Sequence, residues 1–491
     1  MNYRPPALVA LVAALITACP STSTAQPKAT VTRFPVQSAG EVAPDVPLQL
    51  TFSEPVTLGT AGRIVIKDSA GVVADTIDLA AAAKAPAPGG GGFSRPPSAV
   101  SRLVGGVTLR YQPVTVEGQV VTIRPHVTLA YGRNYSVTIE PGVIQAAVGP
   151  GWDGGLADWT FATKAAPPVA KDGVLTVAAD GTGDFCTVQG AIDSIQPSHE
   201  GRITILIRRG VYHEFVEIPR GKDRITLRGE DRHQSIIAAA NNAIFNPGHR
   251  TMVSVDADDI TIQNLTLHNL TPKGGKQAEA LQVRAARCQL LDDDFFSFQD
   301  TLRIEGGVYV KNCFVAGDVD FVWGNGTVFF DRCTLRALNN GYLVQSRNNA
   351  ERVGYVFDHC TLETAPAATR VVLARIHPKG YPYSNVTFLS CRLGPGILPE
   401  GWELDQGTDR DHVAVPAAAA ANRPEGQNSA PVDNAQPAPN VRFWEYQSTD
   451  LAGQPIDVSH RLSVSRQLTA AEVAPLSDPV KVLGTWVSRA P

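Results

Sequence analysis

The chain has 491 residues, of which 43% are apolar and 18% are charged, and its formal net charge is −4. This length exceeds that of one ordinary domain, and the mild acidity argues against a nucleic-acid-binding protein, which would carry a basic stripe. Glycine and proline are abundant, with 43 and 36 residues, while helical periodicity is scarce. We therefore expect two domains built mainly from β-strands and turns.

The N-terminus has the pattern of a targeting segment over residues 1–25. An apolar run at residues 7–16 is too short to span a bilayer and has the length expected of a signal peptide. Two cleavage sites fit. Residues 16–19 resemble a lipoprotein cleavage box, which would place a lipid on Cys19, whereas residues 23–25 suit ordinary cleavage and free secretion. In both cases we expect an extracytoplasmic bacterial protein, secreted or anchored by lipid in the outer membrane.

Residues 27–164 predict a small β-sandwich. Runs such as residues 48–52 alternate apolar and polar side chains between turns rich in Gly, Pro, Asn and Asp. The segments Phe52-Ser53-Glu54-Pro55-Val56 and Trp159-Thr160-Phe161 resemble bacterial Ig-like domains. A carbohydrate-binding module, a spacer and a passive stalk all remain open as the role of this domain. We expect a disordered loop at residues 84–101 and a linker at residues 165–172.

Residues 173–491 show a second pattern. Residues 188–195 predict a short helix that caps the domain. Dense β-branched runs follow, and from Leu265 a short strand phrase recurs after 23, 25, 20, 27 and 31 residues, beginning each time with cysteine, at Cys288, Cys313, Cys333, Cys360 and Cys391. Irregular strand–turn–strand repeats of this length, without helices between them, predict a parallel β-helix.

The repeated cysteines would stack on successive coils, about 4.8 Å apart. This spacing permits a buried ladder of free thiols. It also permits a disulfide, which needs Cα atoms about 4.4–6.8 Å apart, and Cys313 and Cys333 are the closest pair in sequence. Both alternatives remain open. The cysteines form no Cys-x-x-Cys pair that would indicate zinc, and we interpret Asp292-Asp293-Asp294 as a solvated turn rather than a calcium site.

Three polar residues fall about one coil apart, because Gln277 precedes Asp300 by 23 residues and Asp300 precedes Asp320 by 20 residues. Two stacked carboxylates repel each other, so one is driven towards the protonated form while the other stays ionised. Such a pair supplies an acid together with a nucleophile or base. From the spacing alone, an aspartate ladder that only caps turns is the alternative.

Five short motifs occur in a fixed order: Gly210-Val211-Tyr212-His213-Glu214, Gln277-Ala278-Glu279-Ala280-Leu281, Gln299-Asp300-Thr301-Leu302, Asp320-Phe321-Val322-Trp323-Gly324 and Leu373-Ala374-Arg375-Ile376-His377. Together they resemble the motifs of pectinesterases (pectin methylesterases), carbohydrate esterases with a right-handed parallel β-helix. The resemblance covers about residues 173–473. The fifth motif departs from the family's Leu-Gly-Arg-Pro-Trp, since His377 stands where the family has tryptophan.

The resemblance implies hydrolysis of the methyl esters of pectin, a homogalacturonan, to free carboxylates and methanol. Asp320 would be the nucleophile that forms an acyl-enzyme, and Asp300 the general acid and then the base. Gln277 and Gln299 would donate N–H groups to the oxyanion, and Arg375 would keep Asp320 ionised. The family chemistry needs no cofactor and no metal.

The same resemblance points to residues that contact the sugar. Tyr212, Phe298, Trp323 and Trp402 could line the cleft beside His377, whose imidazole offers less stacking surface than an indole. For Phe298 and Trp323, packing in the core is the equal alternative. His377 could be a pH-sensitive substrate contact or a solvent-facing loop residue.

Three functions remain in view. The first is a pectin methylesterase, the second an esterase or thioesterase on another acyl substrate, and the third a β-helix that binds polysaccharide without turnover. The presence of both aspartates with Gln277, Gln299 and Arg375 argues against the third, because binding alone needs no nucleophile and acid. A polysaccharide lyase would want a calcium site and a basic proton abstractor. We expect a monomer with pectin as partner, no nucleic acid, and membrane contact only through a lipid on Cys19.

Overall fold

The computed structural model describes residues 30–80, 99–148, 152, 154–405 and 438–489. The targeting segment with Cys19 lies outside the described residues, and so do residues 84–98 of the predicted loop. The loop prediction is wrong for the end of that segment, because Val100 and Ser101 begin a strand that pairs with Tyr111 and Arg110.

The N-terminal region is a layered β structure. Its strands are β1 (Val31–Phe34), β2 (Ala39–Val42), β3 (Leu48–Phe52), β4 (Val56–Leu58), β5 (Arg63–Asp68), β6 (Val73–Asp78), β7 (Val100–Val104), β8 (Val107–Tyr111), β9 (Val114–Glu117), β10 (Val120–Ile123), β11 (Asn134–Ile139), β12 (Ile144–Ala146) and β13 (Leu156–Thr163). One sheet has the order β1-β3-β10-β9 and the other β2-β13-β11-β5-β6. Alternate residues of both sheets, among them Leu50, Ile66 and Trp159, share one buried core. A β-sandwich results, and its kinship with Ig-like domains stays a prediction.

From Val174 onward the described residues form a parallel β-helix. Its strands are β14 (Val174–Val177), β15 (Ile203–Ile207), β16 (Gly210–Tyr212), β17 (Val216–Ile218), β18 (Ile225–Gly229), β19 (Ser235–Ala239), β20 (Val253–Val255), β21 (Thr261–Gln263), β22 (Thr266–Asn269), β23 (Leu281–Val283), β24 (Cys288–Leu291), β25 (Asp294–Phe296), β26 (Leu302–Ile304), β27 (Gly307–Lys311), β28 (Phe314–Gly324), β29 (Thr327–Asp331), β30 (Thr334–Ser346), β31 (Tyr355–Asp358), β32 (Thr361–Thr364), β33 (Val371–Ile376), β34 (Asn385–Leu389), β35 (Arg392–Leu393), β36 (Trp402–Leu404), β37 (Arg442–Tyr446), β38 (Thr449–Asp450) and β39 (Ser465–Gln467).

Each coil contributes strands to successive parallel ladders. One ladder runs β14-β15-β18-β21-β24-β27-β29-β31-β34-β37-β39. A second runs β16-β19-β22-β25 and a third β17-β20-β23-β26, and the long strands β28 and β30 bend so that each takes part in both. Inward-facing aliphatic and aromatic side chains fill one continuous core, in which the rings of Phe330, Phe357 and Phe388 stack at 4.4 and 4.7 Å. The third ladder carries the site described below.

Short helices cover the ends and flank of the β-helix. Helix α1 (Val188–Ser194) confirms the predicted cap to within one residue, and Thr187 at its start accepts a hydrogen bond from the Gly190 amide at 3.0 Å. Helices α2 (Ala470–Val473) and α3 (Pro479–Leu483) are followed by a 3₁₀ turn (Thr485–Arg489) that packs over outward-facing apolar side chains. No helix among the described residues is long and apolar enough to cross a membrane.

The two domains meet through polar contacts at the first coils. The Asp45 carboxylate of the sandwich accepts hydrogen bonds from the Thr187 amide and hydroxyl, both at 2.7 Å. Arg124 donates to the His213 carbonyl at 3.1 Å, and Lys164 donates to the Gly183 carbonyl at 2.8 Å. The sandwich is therefore seated on the N-terminal cap, away from the coils that carry the two aspartates.

The interior cysteine ladder is real, but its members differ from the expected set. Because Asp294 pairs with Phe314 and Thr266 pairs with Asp294, the residue below Cys313 in the ladder is Asp293. Cys288 instead pairs with Val308 at the start of a different strand. On this coil the predicted ladder residue, Cys288, therefore lies five residues before the actual one, Asp293.

The disulfide alternative is wrong in this structure, since Cys313 and Cys333 are both free thiols. Each sulfur contacts a backbone carbonyl group of the preceding coil: the Cys313 sulfur lies 3.4 Å from the Leu290 oxygen and the Cys333 sulfur 3.5 Å from the Val310 oxygen. The solvated-turn interpretation of residues 292–294 is wrong for two of the three, because Asp293 is buried and Asp294 is buried against Arg232 and His233.

Candidate active site

The two aspartates occupy equivalent positions on adjacent coils. Leu302 pairs with Val322, so Asp300, two residues before Leu302, lies beside Asp320, two residues before Val322. The Asp300 amide donates to the Val319 carbonyl at 3.1 Å and fixes this register. Both residues have left-handed backbone angles, with φ of 69° and 47°, which non-glycine residues rarely adopt. These turns stack the two carboxyl groups, which are only 6% and 5% exposed.

Arg375 anchors Asp320. Its Nη2 donates to Asp320 Oδ2, and its Nη1 donates to Asp405 Oδ2 at 3.1 Å. The guanidinium also lies over the Tyr342 ring, 4.7 Å from its centroid. The other carboxylate oxygen, Asp320 Oδ1, is buried and makes no hydrogen bond with any described residue. One oxygen is thus held in place while the other is left available for a reacting atom.

Arg250 performs the corresponding task for Asp300. Its Nη2 donates to Asp300 Oδ2 at 2.8 Å, and its Nε donates to Glu279 Oε1 at 2.8 Å. Glu279 occupies the position equivalent to Asp300 on the preceding coil, since Leu281 pairs with Leu302. The site therefore contains three stacked carboxyl groups, not two.

Burial dominates the proton affinity of both aspartates. It raises the pKa of Asp300 well above its usual value, and the charges of Glu279 and Asp320 raise it further, while Arg250 and Arg347 oppose the rise. Burial also raises the pKa of Asp320, but Arg375 and Arg347 counter it. Asp300 has two carboxylate neighbours whereas Asp320 is bound to the Arg375 guanidinium, so Asp300 is the better placed of the two to hold a proton.

Gln277 and Gln299 border this pair. The Gln299 carbonyl accepts from the Ala278 amide at 3.1 Å, and the Gln277 carbonyl accepts from the Ala243 amide at 3.0 Å. Gln277 lies on the coil before Asp300, two residues ahead of Glu279. Both side chains are half-buried, and neither side-chain amide bonds to another described residue. Their N–H groups can therefore turn towards a ligand.

Trp323 faces outward at the centre of the third ladder. It pairs with Arg303 on one side and Gln345 on the other. Guanidinium groups lie over its ring at 4.6 Å for Arg303, 4.8 Å for Arg347 and 5.3 Å for Arg250. This indole is 5% exposed and lies outside the interior core, covered by these guanidinium groups.

His377 and Phe298 lie at the borders of the cleft. The Nδ1 atom of His377 is 3.1 Å from the Asp405 carbonyl oxygen, and its ring meets Tyr381 edge-on at 6.4 Å. Phe298 is half-buried and precedes Gln299, with its carbonyl accepting from the Asp318 amide at 2.8 Å. His377 is thus linked to Asp320 indirectly. It contacts the backbone of Asp405, and the Asp405 carboxylate binds the same Arg375 guanidinium as Asp320 does.

Two of the expected sugar contacts are wrong. Trp402 is 1% exposed and stacks on Phe443 at 4.7 Å, because its pairing with Ala374 turns it into the core. Tyr212 is 3% exposed, and its hydroxyl donates to the Arg208 carbonyl at 2.9 Å in the first coils. Neither ring reaches the cleft.

Sequence reasoning missed Arg250, Glu279, Arg347, Tyr342 and Asp405. Arg250 meets Asp300 across 50 residues and lies in no motif. Of these five residues, only Glu279 could have been recognised from the sequence, because it is a charged residue within the otherwise apolar part of the second motif. Among the described residues, no group of three His, Cys, Asp or Glu side chains could hold a metal ion.

Comparisons with known proteins agree with this geometry. The pectinesterase family profile matches residues 174–426. The chain is 31% identical over 249 residues to Pectinesterase 31 of Arabidopsis thaliana, covering 48% of this chain and 78% of that protein. Its fold matches pectin methylesterase from carrot with a TM-score of 0.52 at 22% identity, covering 65% of this chain and 96% of the carrot protein.

A pectin methylesterase solved in complex with a hexasaccharide matches with a TM-score of 0.50 at 25% identity, over 65% of this chain and 98% of that one. The shared fold is the right-handed parallel β-helix. The chain belongs to the pectinesterase family, whose members are carboxylic ester hydrolases.

Proposed function

We propose that the protein hydrolyses methyl esters of pectin to free carboxylates and methanol through an acyl-enzyme on Asp320. The observation that carries this proposal is the unpartnered Oδ1 of Asp320, which lies next to the Arg375 clamp and beside a carboxyl group that favours its proton. A binding protein has no need of a buried, unsatisfied carboxylate oxygen, whereas a nucleophile does.

In the first half-reaction Asp320 Oδ1 attacks the ester carbonyl carbon. A bond forms between that oxygen and the carbon, and the carbonyl electron pair moves to the oxygen. The tetrahedral intermediate then collapses, the bond to methoxide breaks, and Asp300 gives its proton to the departing methanol. The product is a mixed anhydride between Asp320 and the uronate.

In the second half-reaction Asp300, now ionised, takes a proton from water. The resulting hydroxide attacks the acyl carbon of the uronate, and the anhydride bond to Asp320 breaks. Asp320 leaves as a carboxylate stabilised by Arg375, and Asp300 is protonated again. Gln277 and Gln299 supply N–H donors to the oxyanion in both halves, a contribution worth about 2.7–4 kcal/mol for one such donor.

The substrate assignment is supported by family membership and by the character of the cleft. A related enzyme has been solved with a hexasaccharide. The cleft presents an indole with several guanidinium groups, which suits a sugar that carries carboxylates. His377 in place of the family tryptophan keeps an alternative in view, an esterase or thioesterase acting on another acyl group.

Methanol release from highly methylated pectin tests the proposal. We expect wild-type protein to release methanol and Asp320→Asn to lose at least about 10³-fold in kcat. Asp294→Asn is the matched control, because Asp294 is equally buried and paired with Arg232 in the same domain. If Asp320→Asn retains the rate of Asp294→Asn, Asp320 is not the nucleophile. A folded wild type that cleaves only short acyl esters or thioesters would favour the alternative substrate.

Trapping distinguishes the roles of the two aspartates. With an aryl uronate ester the leaving group needs no proton, so Asp300→Asn should acylate normally and then stall. Mass spectrometry should show the uronyl adduct on the peptide that contains Asp320. Adduct formation in Asp320→Asn would overturn the assignment.

For localisation we propose export, with either free secretion or a lipid on Cys19. A metabolic fatty-acid label that enters wild type but not Cys19→Ala would favour the lipid. A soluble, unlabelled protein outside the cell would favour free secretion.

A further inference from the structure

The hairpin made by β7 and β8 belongs to neither sheet of the sandwich. Within the described part of the chain its two strands pair only with each other. The turn between them is Gly105-Gly106, and both glycines have left-handed backbone angles, with φ of 51° and 90°. Glycine adopts these angles without strain, and they match the twist of a two-stranded ribbon. The hairpin therefore forms an arm of the sandwich that contacts the β-helix separately from the two sheets.

The tip of this arm lies against Glu217 of β17. A Cβ atom at Gly105 would be only 2.4 Å from the Cβ atom of Glu217, so the backbone of the turn packs directly on that side chain. Glu217 is 2% exposed, and its Oε1 lies 2.5 Å from the Nε2 atom of His249. The tip thus covers the carboxyl group that holds His249, the residue before Arg250.

The second strand of the arm binds the loop of residues 241–251. The Arg110 amide donates to Asn246 Oδ1 at 2.8 Å, and Asn246 Nδ2 donates back to the Arg110 carbonyl at 3.1 Å. The same Nδ2 donates to Asn241 Oδ1 at 2.8 Å. Asn246 is 5% exposed, so it joins the two domains through buried hydrogen bonds that have little competition from water.

Asn241 extends this connection to the catalytic carboxyl group. Its Nδ2 donates to the carbonyl oxygens of His249 at 3.0 Å and Thr251 at 2.5 Å, the two residues that flank Arg250. The Arg250 guanidinium in turn donates to Asp300 at 2.8 Å. The backbone on both sides of Arg250 is therefore fixed by a hydrogen-bond chain that begins in the sandwich.

We propose that the β7–β8 hairpin is a positioning element for the reaction, acting through Asn246 to hold Arg250 against Asp300. This role rests on the proposed function, because it assumes that Asp300 is the acid and base. Displacements of about 1 Å in a catalytic arrangement are enough to slow a reaction strongly, even when they originate far from the reacting atoms. The sandwich then takes part in catalysis, which a spacer or a stalk does not.

The two glycines of the turn provide a matched pair of variants. Both have positive φ, so alanine strains the backbone at either position. Only at Gly105 does the new methyl group meet Glu217, whereas no atom lies within 4 Å of a Cβ at Gly106. We expect Gly105→Ala to lower kcat/KM for methanol release about tenfold. Gly106→Ala should stay within about twofold of wild type.

The pH profile separates positioning from a general loss of folded protein. The charged side chains that surround Asp300 are Arg250, Glu279, Asp320 and Arg347. Because Arg250 lowers the pKa of Asp300, loosening Arg250 raises that pKa, so Asn246→Ala should move the alkaline limb of kcat/KM to higher pH. A loss of folded protein lowers the rate at every pH and leaves the limb in place, and that result would overturn the proposal. Gly105→Ala serves for the same profile if Asn246→Ala does not fold.

A double-mutant cycle identifies the residue through which the hairpin acts. In an Arg250→Gln background there is no guanidinium left to position, so adding Asn246→Ala should alter kcat/KM and the alkaline limb by less than about twofold. A full additive effect of Asn246→Ala in that background would show that the hairpin does not act through Arg250.

A measurement that needs no turnover keeps this proposal distinct from the esterase assignment. The carboxyl ¹³C resonance of Asp300, identified with Asp300→Asn, reports its titration directly. If wild type releases no methanol but Asn246→Ala raises the pH at which Asp300 titrates, the esterase assignment falls and the control of Arg250 by the hairpin stands. If wild type releases methanol and both Asn246→Ala and Gly105→Ala have the pH profile and titration of Gly106→Ala, the hairpin proposal falls and the esterase stands.

Discussion

Two rows of stacked polar residues run along the same β-helix, and their carboxyl groups differ in chemical reactivity. The cleft row places Glu279, Asp300 and Asp320 on three successive coils. The interior ladder places Asp293 below the free thiols of Cys313, Cys333, Cys360 and Cys391. Both rows contain aspartates that are less than a tenth exposed.

The partners of each carboxyl group make the difference. Asp293 accepts the backbone amides of Leu265 at 2.9 Å and Leu291 at 3.0 Å, and burial raises its pKa well above the usual value. Asp320 is held by the Arg375 guanidinium on one oxygen and is unpartnered on the other. Burial alone therefore produces an inert proton-holding carboxyl group. A guanidinium with one oxygen left open is the arrangement on which we base the proposed nucleophile.

Removing the guanidinium should make Asp320 resemble the inert carboxyl group of Asp293. Arg375→Gln removes the guanidinium that pairs with both Asp320 and Asp405, so we expect kcat to fall by about 10²–10³-fold. We also expect the free energy of unfolding to fall by about 3–5 kcal/mol. Methanol release and denaturant melts measure the two effects. Arg375→Lys should recover part of both, and an unaltered kcat in Arg375→Gln would contradict the comparison.

Arg250 affects the proton affinity of Asp300 as well as the position of its carboxyl group. Arg250 lowers the pKa of Asp300, so Arg250→Gln should raise it and keep the acid protonated to higher pH. The alkaline limb of kcat/KM should move upward, and the rate below that limb should fall about tenfold because Asp300 is also the base. A pH profile of methanol release checks both. A downward shift of the limb would exclude Asp300 as the acid.

The interior carboxyl group should matter for stability and not for catalysis. Asp293→Asn replaces an acceptor of two amides and should cost about 1–3 kcal/mol of unfolding free energy. The folded pKa of Asp293 lies well above 3.8, so the wild-type advantage is complete below pH 3.8 and is lost as the pH rises through the folded pKa. Melts of both proteins across pH measure this difference. Per folded molecule, kcat should be unaffected.

The smallest effect is expected from reduction. Cys313 and Cys333 are free, so dithiothreitol should leave Tm unaltered, and a thiol reagent should label the ladder only after unfolding. A disulfide closing this 20-residue loop would instead contribute about 3 kcal/mol. A drop of several degrees on reduction would restore the disulfide alternative.

Local sequence predicted the parts of the molecule that repeat at coil length. The 20-residue step from Asp300 to Asp320 equals one coil, so spacing alone stacked the two carboxyl groups. The prediction that Cys288 follows Leu265 in the interior ladder was wrong. Asp293 occupies that ladder position, and Cys288 pairs with Val308 instead. A change of a few residues in the register of a strand changes which residue occupies the ladder position. The pattern of apolar residues alone does not determine that register.

The sequence by itself determined the β-helix, its cap and the carboxyl pair, because each depends on the periodicity of neighbouring residues. Tertiary structure decided which side chains face the cleft. Trp323 and Trp402 belong to the same ladder, yet one faces out and the other in, because side chains alternate along a strand and register sets the phase. It also decided the cation beside Asp300: Arg250 lies in none of the five motifs and reaches its aspartate across 50 residues, whereas the fifth motif had already indicated Arg375. No local pattern records contacts of that range.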